Sequence, residues 1–353
     1  MARPQPIEND LRCRRASCGW SQQELARRSG LSRAEISAIE TGRLIPSTMT
    51  ALALAAALEC HVEDLFRLGG RRADEVDWAW PPGREPCRYW QAEVGASRKL
   101  YPAEPTESVM MPHDGVYGGG SFRGEAEADP ERTLVMACCD PAAGLLAAAL
   151  ARAAKVRLIA LPRSSRTALA LLGQGQVHVA GVHLATADLP GGNAAIVRRE
   201  LGSGYNLLRV ARWEEGIAAA PRLRLSSVGK AVGAHLRWVG REHGSGARQC
   251  FDEILGDRRP PRRFASSHRG VAEAVRSGWA DAGVCLRLVS EEAGLDFLRV
   301  REEAYDLCFP ERWEGDRRIQ ALLDVVRSPS YRKALGELPG YNSAETGELD
   351  RIR

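Results

Sequence analysis

The sequence predicts a multidomain protein: an all-α five-helix domain over residues 1–70, a small β-rich connector over 71–130, and a two-lobed α/β domain over 131–353. Three observations predict it. At 353 residues the chain exceeds what one ordinary core fills. The first 70 residues break into short helical patterns punctuated by glycines. From about residue 131, apolar β-like runs alternate with helical patterns to the end.

Composition narrows the function classes. The formal net charge is only +4, so the overall field does not announce a nucleic-acid partner. The positive charge is nearly all arginine, 45 residues against the four lysines Lys99, Lys155, Lys230 and Lys333. Arginine's planar fork suits phosphate. The start, MARPQPIENDLRCRR, lacks the apolar core of a secretory signal. No stretch approaches the ~20 apolar residues of a membrane span: Thr50–Leu58 is too short and Ala142–Ala154 is broken by Arg152. A cytoplasmic protein with reduced cysteines and no membrane partner is the expectation. None of the nine cysteines forms a CxxC pair, which removes thioredoxin-type and zinc-ribbon motifs.

In the N-terminal region a first helix is expected from about Glu8 to Ser17. Ser21, followed three residues later by Glu24, is a capping box that opens a second helix with Leu25 and Ala26 buried. That helix stops at Ser29-Gly30, where Gly30 supplies the positive φ of a tight turn. Ser32 and Glu35 form a second box, opening a third helix with Ile36 and Ile39 inward and its end at Thr41-Gly42. A fourth helix runs from Ser47 through Leu58, and a short fifth includes Val62–Phe66. Two short helices joined by a three-to-four-residue turn containing glycine make a helix-turn-helix. In that unit the second helix enters the major groove with its N-terminal residues at the base edges. Its outward positions are Arg33, Ala34, Ser37 and Ala38. Arginine pairs bidentately with guanine, and alanine meets a thymine methyl. Gln22, Thr41 and Arg43 are placed to position phosphates.

Ser21-Gln22-Gln23-Glu24-Leu25-Ala26, then Gly30-Leu31-Ser32, then Ile36-Ser37-Ala38-Ile39-Glu40-Thr41-Gly42-Arg43, and Pro46, resemble the xenobiotic-response-element and phage-repressor group over roughly residues 8–68. The ending Glu63-Asp64-Leu65-Phe66 agrees. The resemblance implies a double-stranded DNA operator, contacted through Gln22, Gln23, Ser32, Arg33, Ala34, Ser37, Ala38, Thr41 and Arg43. It also implies a homodimer reading paired half-sites about one helical turn apart.

The connector contains DWAWPPGREPCRYW and HDGVYGGGSF. Trp78, Trp80 and Trp90 argue against a disordered linker. A small β-rich element is expected, with Gly118–Gly120 as a flexible joint.

Thr133–Cys138 opens the α/β region as a buried strand, and Asp140-Pro141 starts a helix through about Ala154. Val156–Leu161 and Val177–Val182 are the next strands, with a helix from Ser164-Ser165 to about Leu172 between them. Such alternation implies parallel strands, with ligands bound outside their carboxyl ends. The loops there carry Cys139, Asp140, Ser164, Ser165 and His183. A second lobe over about 221–300 contains a strand at Leu236–Val239 and a helix entered through Gly244-Ser245-Gly246-Ala247-Arg248. A Gly-Ser-Gly turn at a helix start suits an anion, and is also plain turn chemistry. Ser267 precedes a further helix ending at Gly278, and Ala280–Cys285 forms a strand. His183 reads as a cleft residue or as a satisfied core histidine. Cys138-Cys139-Asp140 invites a soft-metal reading. Adjacent strand residues point to opposite faces, however, so both thiols do not share one metal, and His178 and His183 diverge likewise. No metal and no cofactor are expected.

Ala180-Gly181-Val182-His183-Leu184, Gly244-Ser245-Gly246-Ala247-Arg248, Ala280-Asp281-Ala282-Gly283, Leu295-Asp296-Phe297 and Tyr305-Asp306-Leu307 resemble the type II periplasmic-binding-protein superfamily. Within it they resemble the cytoplasmic branch linked to molybdate-binding proteins, over roughly residues 131–348. The resemblance implies a small-molecule or oxyanion effector, molybdate-like or a small organic acid. Its candidate ligand residues are Cys139, Asp140, Ser164, Ser165, His183, Gly244, Ser245, Gly246, Arg248 and Ser267. Many relatives read Gly-Ser-Gly-Thr-Arg; Ala247 here removes one hydroxyl donor.

The resulting expectation is a ligand-responsive repressor or activator in which lobe closure respaces two DNA-reading heads. Such coupling needs differential affinity of the ligand for two states. No GxSxG, Walker, HExxH or close Ser/His/Asp spacing is present, so no enzyme is expected. The alternatives are an enzyme acting on a small molecule with a DNA-binding appendix, since triads also assemble from distant residues, and a cysteine-based metal or redox sensor.

Overall fold

Each serine cap in the N-terminal sequence opens a helix. In a computed structural model, Ser21, Ser32 and Ser47 accept backbone N–H groups from Glu24, Glu35 and Thr50. The structure describes residues 7–9, 11–58, 60, 62, 65–68, 77–104, 112–123, 129–185, 192–256 and 261–353. The chain divides into two units, Met1–Val76 and Asp77–Arg353.

In the first unit, strand β1 (Ile7–Asn9) leads into helices α1 (Leu11–Ser17), α2 (Gln22–Ser29), α3 (Arg33–Glu40) and α4 (Thr48–Ala57). Strand β2 (Phe66–Leu68) then pairs antiparallel with β1. Leu11, Leu25, Ile36, Ile39, Leu54 and Leu65 are fully buried together. Gly30, at φ +72°, turns the chain between α2 and α3. Arg15 Nε donates to Glu40 Oε1 at 2.6 Å, clamping α1 to α3.

Two expectations are corrected here. The first helix starts at Leu11, not Glu8, because the Asn9 side chain accepts the Leu11 N–H and ends the preceding strand. Phe66 is in a strand, so the short fifth helical segment, with Val62 helical, stops before it, and a two-stranded ribbon accompanies the helices of this unit. Glu63 and Asp64 lie outside the described residues.

The second unit begins with a five-stranded sheet: β3 (Asp77–Trp78), β4 (Cys87–Val94), β5 (Ser97–Pro102), β6 (Gly115–Gly118) and β7 (Ser121–Arg123), in the order β3-β5-β4-β6-β7. The element expected as a connector is part of this unit. Its Trp90, Ala92, Val94 and Tyr101 enter one core with Val135, Ala137, Ile159 and Leu161. Tyr101 donates to the Gln176 carbonyl at 2.7 Å, and Arg157 pairs with Asp114 at 2.6 Å. The glycine run is a hairpin turn, not a joint. Gly118 pairs with Ser121 around Gly119 and Gly120, whose φ values of +60° and +72° suit a tight primed turn.

The α/β part continues through β8 (Thr133–Cys138), α5 (Ala143–Ala154), β9 (Arg157–Pro162), α6 (Ser165–Gly173), β10 (Val179–Val182), α7 (Gly192–Leu201) and β11 (Tyr205–Ala219). Next come α8 (Val228–Gly233), β12 (Trp238–Arg241), α9 (Gly246–Leu255), β13 (Arg263–Ala265), α10 (His268–Arg276), β14 (Ala282–Leu286), α11 (Arg287–Glu292) and β15 (Asp296–Pro310). Helices α12 (Arg317–Arg327) and α13 (Pro329–Gly336) and strands β16 (Tyr341–Asn342) and β17 (Leu349–Ile352) complete the chain. One sheet runs β13-β12-β14-β11-β15-β10-β8-β9, with β16 and β17 on β11. The antiparallel strands β11 and β15, fifteen residues each, pass through both lobes. At their crossing a Cβ on Gly216 would lie 2.3 Å from the Leu298 carbonyl oxygen, so the close approach needs glycine. Parallel strands β9, β8 and β10 build one lobe, and β13, β12 and β14 the other. Helix α5 starts at Ala143 rather than Asp140, whose carboxylate accepts the Ala142 N–H.

Candidate functional site

The residues expected to read DNA lie on one local face. Arg33 and Ala34 are exposed on the first turn of α3, and Ser37 and Ala38, half-buried, continue the same helix face one turn on. Gln23 is exposed. Ser32 Oγ is the α3 cap, and its backbone N–H donates to Glu35 Oε2 at 2.8 Å. Gln22 Nε2 donates to Glu40 Oε2 at 2.8 Å. Thr41 Oγ1 donates to the Ser37 carbonyl at 2.7 Å and accepts from Arg43 Nε at 3.0 Å, holding both past the helix end.

The second site is built by strand order. Neighbouring β8, β10 and β15 set Cys139, His183 and Glu303 side by side. Cys139 Sγ lies 2.9 Å from His183 Nε2, and His183 Nδ1 lies 2.9 Å from Glu303 Oε2. The His183 N–H donates to Ser165 Oγ at 3.2 Å. Trp213 stacks on Tyr305, centroids 4.3 Å apart, and meets the His183 ring edge-on. From the other lobe, Ser267 caps α10 and His268 opens it, its ring 5.7 Å from that of His183. His268 is buried, and neither ring nitrogen has a hydrogen-bond partner among the described residues.

A cavity of about 420 Å³ lies between the lobes at the carboxyl ends of β8 and β9. Cys139, Asp140, Arg163, Ser267, His268 and Arg269 line one side, and Ala143, Gly144, Ala147, Leu158 and Ala160 form an apolar wall. Asp140 Oδ1 accepts from the Tyr341 hydroxyl at 2.7 Å.

The predicted Gly-Ser-Gly turn sits elsewhere. Gly244, Ser245 and Arg248 border a separate groove of about 520 Å³ with Arg166 and His243. Ser245 Oγ donates to the Glu242 carbonyl and accepts the Arg248 N–H, and Arg248 Nε pairs with Asp252 at 2.8 Å. A Cβ on Gly246 would lie 2.3 Å from the His183 carbonyl oxygen, so α9 of one lobe abuts the other lobe directly. The Arg166 N–H also reaches the Gly244 carbonyl across the lobes at 3.3 Å. Ser164 caps α6. The sequence-derived ligand set therefore does not converge on one cavity.

The two histidines differ in proton affinity, shifted in opposite directions. Burial opposes charge on His183, but the Cys139 sulfur and then Glu303 hold its imidazole well above the usual value. Burial, with Arg241 and His183 alongside, pushes His268 well below it. Burial also opposes charge on Glu303, yet the His183 hydrogen bond and Arg301 keep that carboxyl low.

A family model described as a PBP superfamily domain matches residues 147–327. The chain belongs to the PBP superfamily. A second model, described as helix-turn-helix, matches residues 11–65, so a helix-turn-helix precedes the PBP domain. The uncharacterized protein YvgK of Bacillus subtilis (strain 168) is 26% identical over 235 residues, 64% of this chain and 76% of its own length. An uncharacterized HTH-type transcriptional regulator of Methanothermobacter thermautotrophicus is 44% identical over 59 residues, 16% of this chain and 86% of its own. Among solved structures, a putative phosphate ABC transporter substrate-binding protein with bound phosphate, from Clostridium perfringens, is similar at 12% identity and a TM-score of 0.45. That alignment spans 63% of this chain and all of that one. Among the described residues no helix is long and apolar enough to cross a membrane.

Sequence reasoning missed four residues of the PBP domain's interior: Trp213, Arg241, His268 and Glu303. Arg241 ends β12 and His268 follows Ser267, so the strand-end rule that found Ser267 reaches both. Glu303 is 120 residues from His183 in sequence, and only the sheet order joins them.

Proposed function

We propose that this chain is a cytoplasmic, DNA-binding transcription regulator. Its PBP domain holds a small anion in the cavity between the lobes, and binding there changes operator affinity. The observation that carries the reading is His268. It is a buried imidazole without hydrogen-bond partners among the described residues, on the cavity wall at the N-terminus of α10, with Arg269 beside it. A buried polar group without a partner is costly, and a ligand acceptor atom relieves that cost. The positive end of a helix dipole favours negative charge at the same place. The apolar wall from α5 and β9 supports an organic acid over a bare molybdate-like oxyanion, whose surface is polar throughout. A homodimer presenting two α3 helices to paired half-sites completes the reading.

The test is a thermal-shift screen with small carboxylates beside molybdate, tungstate, sulfate and phosphate. A ligand at ~100 times its dissociation constant stabilises by about 2.7 kcal/mol, raising the melting temperature by a few degrees. A carboxylate shift lost in Arg269→Ala supports the organic-acid reading, and a shift confined to molybdate and tungstate replaces it with the oxyanion one. No shift from any anion sinks both.

One observation favours the enzyme alternative: Cys139, His183 and Glu303 stand in the order nucleophile, base and orienting acid. Sustained turnover of an acyl substrate, abolished by Cys139→Ser, would establish it.

A further inference from the structure

We propose that Cys139, His183 and His268 form a binding site for a soft divalent transition-metal ion of the zinc or cobalt class, which ties the two lobes of the PBP domain together. The proposal goes beyond the anion reading and does not depend on it.

One ligand atom from each of the three residues lies within 4.8 Å of the other two. A thiolate with two imidazoles is a donor set that zinc takes in tetrahedral sites, three protein ligands leaving a fourth position open. The three come from separate parts of the fold. Cys139 follows β8 and His183 follows β10 in one lobe, while His268 begins α10 in the other. A shared ion therefore bridges the lobes.

Two further observations point to a ligand. His268 is buried with both nitrogens unpartnered among the described residues, an arrangement a metal bond to one of them relieves. Glu303, facing His183 Nδ1, keeps a proton on that nitrogen, so the proton between Nε2 and the Cys139 sulfur is the one a metal ion displaces, freeing the Nε2 lone pair to bind it. A carboxylate behind a metal-binding histidine in this way orients the ring and raises its basicity. Cys139 and His268 both line the 420 Å³ cavity, which gives an ion its way in and leaves the fourth position to water or an anion.

The present 2.9 Å between Sγ and Nε2 is a hydrogen-bond distance. Bonds of ~2.3 Å to sulfur and ~2.1 Å to nitrogen set the two atoms about 3.6 Å apart in a tetrahedron. The half-buried Cys139 side chain accommodates that change by rotating, with the ion replacing the shared proton. The nearby Arg241 guanidinium opposes a bare cation, but it is already paired with Glu242 at 2.8 Å, and the sulfur charge gained on binding offsets the rest. The other acidic group beside His183, Glu215 with Glu303, is already paired with Arg301 and is not the site.

The test is a titration of metal-free full-length protein with Co²⁺ alone, following thiolate-to-cobalt charge-transfer absorbance and bound cobalt by elemental analysis. One equivalent with a charge-transfer band is expected. Cys139→Ser abolishes the band, whereas Cys18→Ser, at an exposed position in the first unit, leaves it intact. Glu303→Gln weakens binding ~10–100-fold, and His268→Leu weakens it more. The metal-free His268→Leu protein melts no lower than the parent, because the substitution removes a buried unpartnered group; His268→Gln serves if it does not fold. The absence of a band, a band surviving Cys139→Ser, or affinity unchanged in both His268 variants overturns the proposal. Anion-induced shifts without a cobalt band overturn this proposal alone. A cobalt band without any anion response supports it and overturns the anion reading alone.

Discussion

His178 shows what one buried side chain does for the second unit. Its Nδ1 accepts the Val135 N–H at 3.0 Å and its Nε2–H donates to the Glu93 carbonyl at 2.9 Å, joining β8 to β4. Burial, then the Arg318 charge, pushes the imidazole down to about 3. Because the folded value lies below the unfolded one of about 6.5, the unfolded state takes up the proton first. The stability present above pH ~6.5 is therefore lost as pH falls towards 3, by up to ~1.4 kcal/mol per pH unit from this group. His178→Gln should lower the melting temperature at pH 7 yet flatten its fall between pH 6.5 and 4.5; parallel curves for the two proteins refute this. Gly246 is the other decisive single residue. In Gly246→Ala the new methyl meets the His183 carbonyl, a backbone atom that cannot swing aside. The lobes are expected to part at a cost of roughly 1–3 kcal/mol. Small-angle scattering that finds no expansion of the variant contradicts that expectation.

Among elements, α3 depends on its cap. Ser32 accepts the Glu35 N–H while Glu35 takes the Ser32 N–H, so the helix carrying Arg33 and Ala34 begins at a fixed residue. Ser32→Ala should lower the stability of the first unit by about 1 kcal/mol. Operator affinity should fall with it, and a variant with unchanged melting and unchanged DNA binding refutes the role. This helix was legible because a cap and its partner are three residues apart. Strands β11 and β15 were not. Arg209, Arg212, Glu214 and Glu215 interrupt β11, so no apolar run or clean alternation marks it. Those charges are tolerated because partners wait across the sheet: Arg209 on Asp306 at 2.5 Å, Glu215 with Arg301 at 3.1 Å. Partners ninety or so residues away leave no local trace.

At the scale of the whole molecule, two units imply two thermal transitions. The anion is expected to raise the transition of the PBP domain, and operator DNA that of the helix-turn-helix unit. If the units communicate, linkage demands reciprocity. Whatever factor the anion changes operator affinity by, the operator must change anion affinity by the same factor. Titrating each ligand in the presence of the other measures that factor from both sides, and a factor of one excludes coupling between the two units.

What the sequence by itself determined is what short-range chemistry encodes. The serine caps, the Gly30 turn, the exposed face of α3 and the buried strands β8 and β10 all follow from residues a few positions apart. The β-rich segment was visible in its aromatics, but its place in the second unit was not, because the contacts that hold it there are made with distant strands. The interlobe cluster belongs wholly to tertiary structure. Cys139 and His183 are 44 residues apart and His183 and Glu303 are 120 apart, and they meet because β8, β10 and β15 are neighbours in the sheet. His268 joins them because β11 and β15 run through both lobes and carry the second lobe against the first. No local rule specifies that pairing: it follows from which strands bury their faces together, a property of the folded chain.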